Sequence, residues 1–319
     1  MAVEPASSPI LRVGIVGTGA MGTNHLRVAQ SLPGIQVTAA ADRDPAQLRA
    51  ALQAHPAPAV NHYREMLSRV DAVMISTPTE SHFEIARHFI SSGCHVLVEK
   101  PMTRTLGEAD ELIRLAAEAG VVVGVGHLER FNPAVQWVRP LVKRPLFIES
   151  QRLGSFSPRS LDIDVIMDLM IHDLDIILDM DASPVKEIRA VGVPIISSRV
   201  DIANVRLEFA SGLVANLTAS RVSQKKTRKL RIFQKDHYIS LDYKKRTVKS
   251  HTLRDGNIHE EIPVIPDQEP LANLWERFRD SIHRNGNGNV GPAQARRALD
   301  LALRISSNIE KKAPDRITG

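Results

Sequence analysis

Three glycines near the start of the sequence have the spacing of a phosphate-binding turn. Gly17, Gly19 and Gly22 form a G-x-G-x-x-G pattern, with Ala20 and Met21 between the last two, directly after the apolar run LRVGIVG. Glycines at these positions allow a tight turn, close approach of backbone N–H groups to a pyrophosphate, and close packing of a helix on a strand. The start of that helix also attracts an anion. The pattern therefore predicts a dinucleotide-binding turn, with the intervening residues beside the cofactor.

The two residues after the second apolar run, IQVTAAA, bear on the choice of dinucleotide. Asp42 follows Gly22 at the interval expected for an acidic residue that binds the adenosine ribose. A carboxylate there accepts hydrogen bonds from the ribose hydroxyls and repels a 2′-phosphate, which favours NAD. Arg43 leaves NADP open, because an arginine at this edge can accommodate that phosphate. Asp42 could also be only a turn residue before Asp44-Pro45.

Two more polar segments, STPTESH and VEKPM, come where predicted strands end. Loops at the carboxyl ends of parallel strands line the cofactor crevice. Lys100 would there face the nicotinamide, with Pro101 fixing its direction. His82 could equally be an ordinary residue in the first turn of a helix. The cofactor contacts expected from these segments are Ser76, Thr77, Pro78, His82, Glu99 and Lys100.

The stretch VIMDLMIHDLDIILD, residues 165–179, carries ionisable side chains within a strongly apolar run. On a helix with about 100° per residue, one stripe contains Asp164, Asp168, His172, Asp175 and Asp179. Apolar residues cover most of the remaining circumference, so the helix should be largely buried. The stripe could be a narrow solvent-facing seam or the lining of a cleft.

The motifs lie in two parts of the chain that differ in their predicted secondary structure. Residues 1–128 alternate short β-branched runs with helical patterns, which predicts a Rossmann-type, doubly wound parallel sheet. Residues 129–319 contain several strand patterns without intervening helices; Val205, Leu207 and Phe209, for example, alternate with charged residues. We therefore predict an α/β chain with a dinucleotide-binding domain over 1–128. An α+β domain over 129–319, built on a largely antiparallel open sheet, would bind substrate and form oligomers.

Composition narrows the class of protein. The chain has 319 residues, 43% of them hydrophobic, and a single cysteine, Cys94, which fits a reducing compartment. No signal-peptide pattern or apolar run of membrane length is present, so we expect a cytoplasmic protein without membrane partners. The net charge is +5, and basic residues gather in 221–231 and 243–251. These segments contain few aromatic residues that could stack on bases, so nucleic acid is not the expected partner. Their basic residues either lie on solvated faces of strands or attract an anionic substrate such as a sugar nucleotide.

Taken in order, the glycine turn, Ser76-Thr77-Pro78, Glu99-Lys100-Pro101 and the Asp168/His172 pair resemble the Gfo/Idh/MocA family of nicotinamide-dependent sugar and polyol dehydrogenases. The resemblance covers nearly the whole chain. Within that family, the segments GHLERFNPAV and DVIMDLMIHDLDI resemble the bacterial UDP-N-acetylglucosamine 3-dehydrogenases, which supply a 3-keto sugar nucleotide to the lipid A pathway. Met170 departs from the glycine that many members have, which leaves the sugar substrate open.

The resemblance implies a catalytic scheme and a cofactor. His172 would be the general base, Asp168 would contact the substrate or orient the imidazole, and Lys100 would stabilise alkoxide character while NAD accepts a hydride. No sequence pattern for a metal site is present. Homodimers or homotetramers are implied as well. The residues expected at the substrate, besides these three, are His127, Arg130, Asn132 and Arg152.

Two alternatives to a sugar-nucleotide dehydrogenase remain at this stage. One is a dehydrogenase of free sugars or inositol. The other is a non-catalytic NAD(P)-binding regulator, which could dispense with Lys100 and the Asp168/His172 pair. The presence of all three residues favours an enzyme.

Overall fold

A computed structural model describes residues 9–156, 163–284 and 291–312. The chain forms two compact units, one of Met1–His127 with Glu269–Arg296 and one of Leu128–Gln268 with Arg297–Gly319. The sequence-based division places 269–296 in the second domain, whereas the structure groups this segment with the first. The difference arises because amphipathic periodicity predicts a helix there without telling which core buries its apolar face.

The sheet of the first unit is parallel, with strand order β2-β1-β3-β4-β5. Its strands are β1 (Leu11–Val16), β2 (Ile35–Ala41), β3 (Ala72–Ile75), β4 (His95–Val98) and β5 (Val123–Val125). Every residue of β3 and β5 is buried, as expected for parallel strands covered on both faces. The carboxyl ends of these strands therefore carry the loops that the sequence marks as functional.

Five helices belong to this unit among the described residues. They are α1 (Ala20–Ser31), α2 (Pro45–Ala54), α3 (His82–Ile90), α4 (Leu106–Ala119) and α7 (Pro270–His283). Local sequence explains their ends: Asp44 accepts hydrogen bonds from Ala46 and Gln47 at the start of α2. A reciprocal capping box of Thr105 and Glu108 starts α4.

The second unit contains an eight-stranded sheet with the order β13-β12-β11-β10-β6-β9-β8-β7. Within this sheet, the β6–β9 pair is parallel and every other pair of described strands is antiparallel. The strands are β6 (Pro145–Leu153), β7 (Val185–Val193), β8 (Ile202–Phe209), β9 (Val214–Ser220), β10 (Thr227–Gln234), β11 (His237–Asp242), β12 (Thr247–Arg254) and β13 (Asn257–Glu261). The predicted fold class is confirmed. Strands β12 and β13 were not predicted, because their polar, exposed residues lack a clear apolar alternation.

One face of this sheet is buried and the other is open. Val205, Leu207 and Phe209 of β8 are buried, while Arg206 and Glu208 between them are exposed, as the alternation predicts. The helices of this unit are α5 (Pro133–Val138), α6 (Ile171–Met180) and the part of α8 (Pro292–Lys312) that follows Arg296. Apolar residues of all three join the buried core.

The segment predicted as one regular helix has two parts. Residues Ile166–Met170 form a π turn, and α6 begins at Ile171. Asp168 lies in the π turn and His172 in the first turn of α6. Such π turns in helices are frequent at functional sites, because they change the direction of the side chains they carry.

Candidate active site

The glycine turn of the first unit leaves space where a dinucleotide phosphate would lie. Gly17 has a φ of 87°, and a Cβ atom at Gly22 would lie 1.9 Å from the Gly17 carbonyl oxygen, so neither position accepts a side chain. At Gly19 the nearest atom to such a Cβ is 3.7 Å away, in the Gln47 side chain. No side chain caps α1, which starts at Ala20. Its first N–H groups can therefore bind an anion, and the residues present fit the pyrophosphate of a dinucleotide.

Asp42 lies at the end of β2 with its carboxylate held towards the glycine turn. Its Oδ2 atom accepts hydrogen bonds from the Thr18 backbone N–H, at 2.6 Å, and from the Gln47 side chain, at 2.9 Å. Oδ1 accepts one from the Asp44 N–H. Partial burial alone would raise the pKa of Asp42, but these bonds lower it, so the side chain is ionised at neutral pH. Asp42 is thus more than a turn residue, and Arg43 beside it is exposed.

The loop after β3 is tied to the glycine turn and to the loop after β4. Ser76 Oγ donates to the Gly17 carbonyl at 2.8 Å. His82 is buried, with Nε2 2.8 Å from the Thr77 carbonyl oxygen and Nδ1 3.0 Å from that of Pro101. Burial lowers the pKa of His82. These contacts make His82 a residue that positions two loops; its contact with the cofactor stays a prediction.

The Glu99-Lys100-Pro101 segment follows β4, and the Lys100–Pro101 peptide is cis. Glu99 is buried, and its Oε2 atom accepts a hydrogen bond from the Lys100 N–H at 3.1 Å. Glu99 therefore stabilises the backbone of the turn that carries Lys100. His127, expected at the substrate, lies buried just after β5, the neighbour of β4 in the sheet.

In the second unit, Asp168 and His172 are half-buried. Three other acidic residues of the apolar segment bind basic or hydrogen-bonding partners in the same unit. Asp175 binds the Arg130 guanidinium at 2.6 Å, and Asp179 binds both Arg130 and Arg139. Asp164 accepts hydrogen bonds from the Met167 N–H and the Ser306 hydroxyl. The predicted stripe is therefore divided: its ends hold the fold together, and its centre carries the pair proposed for chemistry.

The three residues expected at the nucleotide portion of a substrate are held inside this unit. Arg152 binds Asp173 through two nitrogens, at 2.7 and 3.0 Å, and Glu129 at 2.9 Å. Burial would lower the pKa of Arg152, but these carboxylates raise it well above its usual value. Asn132 caps α5 and donates to the Tyr243 carbonyl at 3.1 Å. Arg130, Asn132 and Arg152 thus have structural roles here, which charge and position in the sequence do not reveal.

The basic clusters meet at one end of the second sheet. Arg228 pairs with Arg152 across β10 and β6, and the Tyr243 N–H donates to the Arg228 carbonyl. The turn after β11 thus lies beside the start of β10. We call the exposed cations at this end the cationic rim, which consists of Lys225, Lys226, Arg228, Lys244 and Lys245. Arg152, opposite Arg228 in the sheet, binds Asp173, the residue that follows His172 in the sequence.

Within 9–156, 163–284 and 291–312, no group of three or more histidine, cysteine or acidic side chains is arranged to hold a metal ion. No helix in these ranges combines the length and apolarity needed to cross a bilayer.

The chain is similar to known proteins in both of its units. Residues 11–127 match the oxidoreductase family with an NAD-binding Rossmann fold, and residues 144–239 match the Gfo/Idh/MocA C-terminal domain. The chain is 36% identical over 310 residues to UDP-N-acetylglucosamine 3-dehydrogenase of Acidithiobacillus ferrooxidans, covering 94% of this chain and 97% of that enzyme. This chain belongs to the Gfo/Idh/MocA family. The predicted resemblance, oxidoreductase class and NAD cofactor are therefore confirmed.

Solved structures of this family share the fold. The structure of the A. ferrooxidans enzyme has a TM-score of 0.89 with 35% identity, covering 94% of this chain and 98% of that one. Levoglucosan dehydrogenase in complex with NADH and levoglucosan has a TM-score of 0.87 at 18% identity, covering 95% of this chain and 97% of that one. The second likeness shows the common fold alone.

Sequence reasoning missed three groups at these sites. Gln47 contacts Asp42 from α2, and no motif marks it. His25 and Trp275 form a buried hydrogen bond of 3.1 Å across 250 positions of sequence. Two features of the sequence could have indicated the His25–Trp275 pair. His25 lies on an otherwise apolar face of a helix, and the N–H group of a buried tryptophan needs a hydrogen-bond partner.

Proposed function

We propose that this protein oxidises the 3-hydroxyl group of UDP-N-acetylglucosamine to a ketone, with NAD as hydride acceptor. The observation that carries the proposal is the similarity to the A. ferrooxidans 3-dehydrogenase over 97% of that enzyme's length. We place the reaction in the cytoplasm, where the 3-keto sugar nucleotide would be a precursor for lipid A modification.

The proposed roles follow from the chemistry of an alcohol oxidation. His172 accepts the hydroxyl proton, Asp168 orients the imidazole or binds the sugar, and Lys100 stabilises the developing alkoxide as a cation. Bound NAD supplies the hydride acceptor. Lys100 belongs to the first unit and His172 to the second, so the proposal requires both to reach one alcohol oxygen.

Asp42 supports NAD as the working dinucleotide over NADP. Its carboxylate is ionised and fixed by Thr18, Asp44 and Gln47, so a 2′-phosphate placed beside it would be repelled. Arg43, the residue that leaves NADP open, lies next to Asp42 in the sequence and is exposed.

The cationic rim supports a diphosphate-containing substrate. Because Arg130 and Arg152 are engaged by carboxylates, we assign the diphosphate to Arg228 and the neighbouring lysines. The Arg228 side chain is 51% exposed and lies 4.0 Å from Glu129. An exposed arginine of this kind can bind a phosphate through two N–H groups.

The decisive assay measures NADH formation by the purified protein with NAD and one of three substrates: UDP-N-acetylglucosamine, free N-acetylglucosamine, or myo-inositol. The expected result is reduction of NAD only with the sugar nucleotide. Turnover of the free sugar or the inositol alone would replace the proposal with the free-polyol alternative. Binding of NADH without turnover of any substrate would favour the regulator.

The role of the two catalytic side chains is tested by Lys100→Met and His172→Ala. Both variants should lose turnover but bind NADH with an affinity close to that of the native protein, measured by nicotinamide fluorescence. A crystal structure with NAD and UDP-N-acetylglucosamine tests the geometry directly. Lys100 and His172 on separate surfaces in that complex would refute the scheme.

We also propose that the open face of the second sheet forms a homodimer or homotetramer. Aromatic side chains line up across four strands of this face: ring centroids are 5.5 Å apart for Phe147–Phe233, 4.9 Å for Phe233–Tyr238 and 5.5 Å for Tyr238–His251. Phe233 is exposed and the other three rings are half-buried. A row of partly exposed aromatic side chains on an open sheet is typical of an interface. Light scattering should give a mass of two or four chains, reduced by Phe233→Lys; a monomeric native protein would refute this assignment.

A further inference from the structure

A buried chain of hydrogen bonds runs from α7 through α1 to the turn that carries Lys100. The Trp275 Nε1–H donates to His25 Nδ1 at 3.1 Å, and His25 Nε2 lies 3.0 Å from Glu99 Oε1. The other Glu99 oxygen, Oε2, accepts from the Lys100 N–H at 3.1 Å. Neither the His25 nor the Trp275 side chain is exposed at all, so no solvent competes for these bonds.

The indole determines which nitrogen of His25 carries the proton. An indole N–H can only donate a hydrogen bond, so His25 Nδ1 must present its lone pair to Trp275. The single proton of the neutral imidazole is then on Nε2, from which it is donated to Glu99. A second proton on Nδ1 would place two N–H groups against each other at 3.1 Å. Trp275 therefore fixes the orientation of the His25 ring, with Nε2 directed at Glu99.

Glu99 is enclosed on its remaining side by backbone. A Cβ atom on Gly126, the residue after β5, would lie 3.0 Å from Glu99 Oε2, so a side chain there would press on the carboxylate. Burial alone would raise the pKa of Glu99, but its interactions with His25 and then with Lys100 lower it. The ionisable groups that interact with Glu99 are His25, Lys100 and, on α3, His82.

We propose that His25, oriented by Trp275, is a positioning residue that fixes the Glu99 carboxylate against the Lys100 N–H and so sets the position of Lys100 for catalysis; this rests on the proposed role of Lys100. Without the His25 donor, a buried carboxylate oxygen loses its hydrogen bond, and the carboxylate no longer holds the turn that carries Lys100 in one orientation. A helix far along the sequence thus helps to position a residue of the proposed active site.

The test compares variants of His25 that differ in hydrogen bonding but have similar volume. His25→Leu removes both bonds, and kcat should fall about tenfold or more at pH 8. His25→Gln keeps an N–H donor for Glu99 and a carbonyl acceptor for Trp275, so it should restore kcat close to the native value. Equal losses in the two variants would show that only packing matters and would overturn the proposal.

Comparison of kcat with NADH affinity and melting temperature distinguishes positioning from packing. Only one of the two terminal atoms of a glutamine accepts a hydrogen bond, so Glu99→Gln places an N–H group against either the His25 or the Lys100 donor. It should lower kcat about as much as His25→Leu does, with NADH affinity close to native. Phe278→Leu removes a ring whose centroid lies 6.1 Å from that of Trp275, and it should lower the melting temperature without lowering kcat. If His25→Leu does not fold, Glu99→Gln decides: a kcat close to native overturns the proposal.

The tautomer is measured without any substrate. The ¹⁵N resonances of His25 in the full-length native protein should show the tautomer with the proton on Nε2, and Trp275→Phe should give a mixture of the two tautomers. Protonated Nδ1 in the native protein would overturn the proposal. Because this measurement needs no turnover, it separates failure of the hydrogen-bond chain from failure of the proposed function, which the native protein's own activity tests.

Discussion

Replacement of Arg152 by methionine tests whether this arginine stabilises the fold or binds the substrate. The Asp173 and Glu129 side chains that bind it are 3% and 12% exposed, so the change leaves two nearly buried carboxylates without their shared cation. Removing one partner of a buried ion pair costs about 3–5 kcal/mol. For a unit of this size, each kcal/mol lowers the melting temperature by roughly 2–4 °C, so a decrease of about 6–20 °C is expected.

The assay is thermal unfolding of the full-length protein followed by circular dichroism, paired with steady-state kinetics for the sugar nucleotide. Arg228→Met is the matched control, because Arg228 lies directly opposite Arg152 in the sheet but is half exposed. Its stability should change by less than about 1 kcal/mol. Its KM should rise about tenfold, the equivalent of roughly 1.4 kcal/mol for one lost phosphate contact.

The two variants should therefore show opposite patterns. Arg152→Met should unfold at lower temperature and keep its KM wherever it remains folded. A native melting temperature together with a raised KM in Arg152→Met would refute the reasoning and return this residue to the substrate site. An unchanged KM in Arg228→Met would remove the cationic rim from substrate binding.

Three further changes have outcomes that the structure specifies. Gly22→Ala should abolish NADH binding in a fluorescence titration, because the new methyl group meets the Gly17 carbonyl at 1.9 Å, whereas Gly107→Ala, with nothing within 4 Å, should bind normally. Asp42→Ala should weaken NADH binding more than NADPH binding, and equal losses would contradict the role given to this carboxylate. Burial alone would raise the pKa of Asp201, but hydrogen bonds from Ile196 and its neighbours lower it to about 2. Ionised Asp201 should therefore contribute roughly 2 kcal/mol to the free energy of unfolding above about pH 4, and this contribution should disappear as the pH falls through 2. Urea unfolding of the native protein and of Asp201→Asn at several pH values would measure it.

Features encoded within a few neighbouring residues were predictable from the sequence. The glycine turn, the helix after it and Asp42 at the end of the next strand are local patterns. Each depends on residues that are close together in the sequence. The same holds for β8, where alternation alone identified the buried face. The family resemblance extended these local patterns to nearly the whole chain.

The partners of charged residues were not predictable in this way. Arg130 and Arg152 have the charge expected of a nucleotide-binding residue, but their carboxylate partners lie 45 and 21 positions away. A buried guanidinium requires such a partner, and the aspartates of the apolar segment could have supplied the hint. His82 was ambiguous for a similar reason, since its two carbonyl neighbours come from loops that only the folded sheet brings together.

The placement of α7 has a consequence for how the protein can be divided. Trp275 closes over His25 only after more than two hundred intervening residues have been synthesised. A fragment ending at residue 128 would expose the apolar side of α1 to water and should be poorly soluble. A nucleotide-binding domain that folds by itself would need residues 269–284 joined to residues 1–127 by a short linker. Exchange of this domain with that of a relative would therefore have to replace both segments together.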